Sequence, residues 1–138
     1  MSQRCVSLLV CLLFSIPFVG VGSEKASPDF KNMKPIDHAN RIYSDGSKNY
    51  LVLFKDYYAK EADTFVEVPR PISGYSFISG QCGLNDVYDE NITALVKVDL
   101  RIKKWRDVLN AWVVNPEAKT IKSISPTDVY CDNDAWGI

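Results

Sequence analysis

Catalytic equipment is scarce in this chain. Its 138 residues include one histidine, His38. A Ser-His-Asp or Cys-His arrangement would have to use that residue. No Gly-x-Ser-x-Gly turn surrounds any serine, and no Gly-rich phosphate loop is present. Zinc takes His and Cys ligands, and a single His does not build such a site. His38 is therefore read as a surface or structural residue, with no catalytic residue, metal or cofactor expected. Charge of one sign is missing too. Lys and Arg number 16 against 17 Asp and Glu, for a formal net charge of -1. Nucleic-acid-binding domains carry clustered basic charge, so nucleic acid is not expected as the partner. The basic group Arg101, Lys103, Lys104 and Arg106 reads as a solvated strand edge, where charge discourages pairing with other chains. No internal repeat is found.

One long apolar run exists, and it stands at the N-terminus. Arg4 precedes an apolar stretch from Val6 to Val19, and Val21-Gly22-Ser23 supplies small residues after it. This layout predicts a secretory signal peptide over residues 1–23. The run is short for a membrane span, which needs about 20 residues. No span is expected after cleavage, and the protein is placed in the periplasm or outside the cell. Residues 24–34 are polar and hold Pro28, so they read as a flexible or loosely docked arm. Residues 35–138 are one domain's worth of chain.

Four cysteines are present. Cys5 and Cys11 fall in the leader. Cys82 and Cys131 remain, with one pairing available to them. An oxidising compartment favours that disulfide. Closing a loop of this length is worth about 4 kcal/mol in the chain-entropy model.

Between those cysteines the pattern is β-like. Ala94, Val96, Val98, Leu100 and Ile102 alternate with Leu95, Lys97, Asp99, Arg101 and Lys103, which predicts a strand with one apolar and one mostly charged face. Trp105, Val108, Leu109, Trp112 and Val113 also have helical spacing. A strand with Trp112 and Val114 on one face is favoured, because a hairpin through Asn115 to Lys119 must follow. Tyr50 to Phe54, Thr64 to Val68 and Ser73 to Ser79 read as further strands. Upstream, Pro35 suits the first turn of a short helix, with Ile36, Ala39, Ile42 and Tyr43 on one face. The expected class is α+β: mostly antiparallel sheet, one or two N-terminal helices and one disulfide. An all-β fold is the alternative.

Carboxylates are the remaining source of chemistry. Asp86, Asp89 and Glu90 follow Cys82, while Asp132 and Asp134 follow Cys131. A disulfide would draw these two groups toward each other. Such a cluster suits Ca²⁺, or two carboxyls acting as acid and base of a glycosidase. Acidic loops beside turns more often just form the turns. Asn91-Ile92-Thr93 is a glycosylation sequon, of use only in a eukaryotic source. Trp136, near the C-terminus, either packs on the disulfide or is offered to a partner. Small size, export, the disulfide and the thin catalytic inventory favour a non-enzymatic binding protein: an inhibitor, immunity-like or accessory module with a protein partner. A small carboxylate-dependent hydrolase and a structural surface component are the other readings.

Overall fold

The computed structural model describes residues 27–137. The expected signal peptide, with Cys5 and Cys11, lies outside the described residues. An N-terminal sheet runs in chain order through β1 (Lys34–Pro35), β2 (Ile42–Ser44), β3 (Asn49–Asp56) and β4 (Glu61–Val68). The chain continues through β5 (Tyr75–Ser79), β6 (Cys82–Leu84), β7 (Val87–Tyr88), β8 (Ile92–Lys97), β9 (Lys104–Trp105), β10 (Val108–Asn115), β11 (Thr120–Ile124) and β12 (Val129–Asp132). A middle sheet has the order β11-β10-β8-β5, and a disulfide sheet has the order β7-β6-β12-β9.

These sheets stack as three layers. One buried cluster joins Ile42, Leu51 and Val68 of the N-terminal sheet to Phe77, Leu95, Trp112 and Val114 of the middle sheet. A second joins Ala94, Val96 and Ala111 of the middle sheet to Cys82, Trp105, Val129 and Cys131 of the disulfide sheet. β8 and the centre of β10 are therefore buried on both faces. Fully burying one such Leu, Val or Phe is worth about 1.5–3 kcal/mol, so the middle layer is the energetic centre of the domain. Trp112 and Val114 do share one face of β10, as a strand requires.

A third cluster covers the outer face of the N-terminal sheet, built on Phe30, Tyr43 and Val52. Phe30 lies inside the polar stretch 24–34, read from the sequence as a flexible or loosely docked arm, and is 2% exposed. Its ring stands edge-on to Tyr43, Tyr50, Phe54 and Phe65, the geometry that aromatic quadrupoles favour. A single 3-10 turn, Phe30–Asn32, carries it there.

The fold is nearly all β, which corrects the expected α+β class. The predicted helix from Pro35 to Tyr43 is absent. Asp37 decides this, because its Oδ1 accepts the backbone N–H groups of both Arg41 and Ile42 at 2.8 Å. That closes a loop in which Asn40 has φ of 55°, outside the helical region. Ile42 and Tyr43 then point to opposite faces, one into each core cluster. A second correction concerns the strand read through Lys103. β8 ends at Lys97, and beyond it Ile102 donates its N–H to the Asp99 carbonyl in a turn. Nor does β8 have a wet face before that point: Thr93 and Leu95 are as buried as Ala94 and Val96.

Candidate functional site

Cys82 and Cys131 form the disulfide. They face each other in register across β6 and β12. Asp132 donates its N–H to the Gln81 carbonyl at 2.8 Å, so the strands are tied again directly beside the bridge. This double tie fixes what lies on either side of it. Gln81 leads back to β5, and Asn133 leads into the C-terminal tail.

Those two segments wall a cleft of about 540 Å³ at β5. All three layers contribute. Ser76, Phe77 and Ile78 come from the middle sheet, and Ile36, Asp37 and His38 from the loop between β1 and β2. Leu100, Trp105 and residues 133–135 come from the disulfide-sheet side. Consecutive strand residues point to alternate faces. A cleft that touches Ser76, Phe77 and Ile78 together therefore meets the edge of β5, not one of its faces.

The walls are held from behind. Asn133 is buried, and its Nδ2 donates to the carbonyls of Leu100 at 3.2 Å and Ile102 at 3.0 Å. The Trp105 indole N–H donates to the Asp99 carbonyl at 2.8 Å. Asp99 is itself clamped by Arg101, whose guanidinium and backbone hydrogen bonds hold its carboxyl down at about 2. At the far end Gln81 donates from Nε2 to Asp134 Oδ2 at 2.6 Å. On the opposite wall Asp37 uses Oδ1 for its loop, while its buried Oδ2 has no hydrogen-bond partner. Apolar side chains make most of the remaining lining, as in ordinary binding pockets.

The acidic residues singled out from sequence are spread over separate jobs. Asn85 and Asp86 both have positive φ, at 52° and 62°, and make the two-residue turn between β6 and β7. Asp86 also pairs with Arg106 at 3.0 Å, which lowers its carboxyl below the usual range. Asp89 Oδ1 accepts the Asn91 N–H at 2.9 Å. Glu90 is exposed, and its carbonyl accepts from Arg41. Asp132 stands opposite Lys104 in the backbone register of β12 and β9, and Asp134 belongs to the cleft wall. Among the described residues no three His, Cys, Asp or Glu side chains come together to hold a metal ion.

In the sequon, Thr93 is 0% exposed and its hydroxyl bonds to that of Ser79 at 2.8 Å, with Asn91 half-buried. Trp136 is 50% exposed and follows Ala135 of the cleft wall, with Lys103 Nζ 5.5 Å from its ring centre. His38 sits on the cleft wall too. A separate aromatic group at the tip of the β3–β4 hairpin is already filled: Lys60 Nζ lies 3.4 Å from the Tyr57 ring centre, near Tyr43 and Phe54.

Sequence reasoning missed Phe77, Ile36, Leu100 and Trp105 as site residues. Their chain separation hides them, and only the β5 strand pattern gave a signal. The chain matches no protein-family model, and no curated protein or solved structure is significantly similar to it.

Proposed function

We propose that this chain is an exported, disulfide-held binding protein without catalytic activity, and that the cleft at β5 is where it holds a protein partner. The observation that carries this reading is the cleft itself, an apolar recess with a few polar groups, rigidly walled beside the disulfide. Export is supported by the apolar leader and by a buried disulfide, which persists in oxidising compartments. A carboxylate-dependent hydrolase is disfavoured because Asp86, Asp89 and Asp134 already serve a turn, a cap and a wall contact.

Photo-crosslinking in the producing organism tests it. A benzophenone amino acid replaces Ser76, which is exposed on the cleft. A second chain carries it at Tyr58, exposed at the hairpin tip. The reading expects a discrete protein adduct from position 76 that is absent from position 58. Equal labelling from both sites, or none from position 76, would sink it.

A further inference from the structure

We propose that the partner enters the cleft as an extended peptide segment that pairs with β5 and extends the middle sheet by one strand. This rests on the reading of the cleft as a binding site and names its occupant.

The backbone of β5 is phased for such a partner. Val98 donates its N–H to the Gly74 carbonyl, and Gly80 donates to the Ile92 carbonyl. With the register Tyr75↔Lys97 through Ser79↔Thr93, these bonds turn the amides and carbonyls of Ser76 and Ile78 toward β8. Those of Phe77 turn the other way, outward from the sheet. β5 is an edge strand, with β8 its only strand neighbour among the described residues. An unpaired edge is a template for another strand.

Most edges are simply exposed. This one is recessed between two outer layers. A strand laid along it would send alternate side chains to opposite walls. One set would meet Ile36 and His38, and the other would meet Leu100 and Trp105. That arrangement asks for an alternating sequence with apolar residues on both faces.

Charge narrows the occupant further. The charged side chains lining the cleft are Asp37 and Asp134, both acidic. The segment should therefore carry Lys or Arg beside its apolar residues. A second copy of this chain fits less well. Its β5 would have to reach a recessed edge past its own outer layers, and Asp37 and Asp134 would face their own kind. A small apolar molecule would leave the Phe77 amide unpaired.

The test uses short random peptides displayed on phage and selected against the disulfide-bonded protein. Enriched peptides are made synthetically and titrated by fluorescence anisotropy. Each is also made with one backbone amide N-methylated at a time. Strand addition expects methylation at every second amide to weaken binding about tenfold, from the lost bond and the added bulk. Methylation at the intervening amides should change it little. Enriched sequences should be rich in Lys or Arg. Ser76→Arg should abolish binding and Asp134→Lys should weaken it. Both positions are exposed, so wild-type melting curves are expected for each variant.

If peptides bind and Ser76→Arg blocks them, but the methylation effect does not alternate, strand addition is overturned and the binding site stands. No enrichment, or binding indifferent to Ser76→Arg, also overturns strand addition, and the crosslinking from position 76 then decides separately on the site. A dimer in light scattering that Ser76→Arg converts to monomer would assign the cleft to a second copy and overturn the proposal.

Discussion

Tyr130 stands where a side chain at Gly83 would have to go. The two residues face each other in register across β12 and β6. A Cβ on Gly83 would lie 2.5 Å from Tyr130 Oη and 2.5 Å from the Val87 carbonyl oxygen. The tyrosine ring can swing, but the Val87 oxygen is backbone held by the β6–β7 pairing. Gly83→Ala is therefore expected to destabilise the domain by about 1–3 kcal/mol, the usual cost of overpacking. Thermal unfolding by circular dichroism measures it. An unchanged melting temperature would contradict the close approach.

The disulfide joins residues separated by 49 positions. Cys131→Ser removes a constraint worth about 4 kcal/mol on the unfolded chain, a large share of a net stability of about 5–15 kcal/mol. Both sulfurs are fully buried, so the variant also leaves a hydroxyl in the core. A sharply lower unfolding midpoint in urea is expected under oxidising conditions. Wild-type protein with added reductant and denaturant should approach the same midpoint. Equal midpoints with and without the bond would remove the disulfide from the stability account.

Phe30 anchors the start of the domain. Its truncation to Ala opens a cavity under four aromatic rings, and large-to-small changes of this kind cost about 3–5 kcal/mol. Phe30→Leu should retain most of that. Near-ultraviolet circular dichroism should also lose intensity in Phe30→Ala as the edge-on ring contacts go. A variant as stable as wild type would mean that the segment does not hold the N-terminal sheet.

Acid should loosen the Asp99–Arg101 contact behind one cleft wall. The Asp99 carboxyl is held at about 2 against an ordinary 3.8, first by the Arg101 side-chain hydrogen bonds and then by the Arg101 amide. A folded-state value below the unfolded one means the contact stabilises fully above the ordinary value and is lost as pH falls through about 2. The Trp105 indole proton, bonded to the Asp99 carbonyl, reports on it. Its NMR shift should hold steady from neutral pH down to about 3.8 and then move with a midpoint near 2. Asp99→Asn should flatten that change. A wild-type transition centred at the ordinary carboxylate value would contradict the clamp.

Much of the sheet was legible in the sequence. β-branched and aromatic runs marked β3 and β4, and Asn115 marked the hairpin that follows β10. Its Oδ1 accepts the amides of Glu117 and Ala118, the turn chemistry expected of Asn. The disulfide followed by counting. The N-terminal helix failed for a local reason. Ile36, Ala39, Ile42 and Tyr43 fit a helical stripe, but the Asp37 side chain captures two amides that a helix would need elsewhere. β8 failed for a tertiary one. Alternation predicts a wet face only when a single layer covers the strand, and β8 is covered on both sides. The cleft was out of reach. It joins residues near positions 36, 77 and 134, and its central group, the Phe77 amide, is backbone. An edge strand and an inner strand can share one amino-acid pattern, because pairing is decided by the rest of the fold.

Hydrogen exchange at the Phe77 amide is the most direct measurement of the central claim. In free protein this amide should exchange far faster than those of Ser76 and Ile78, which the register pairs with β8. Saturation with a selected Lys- or Arg-bearing peptide should slow Phe77 and leave Ser76 and Ile78 as they were. An amide at Phe77 that is already protected in the free protein, or that a bound peptide leaves unprotected, would contradict it.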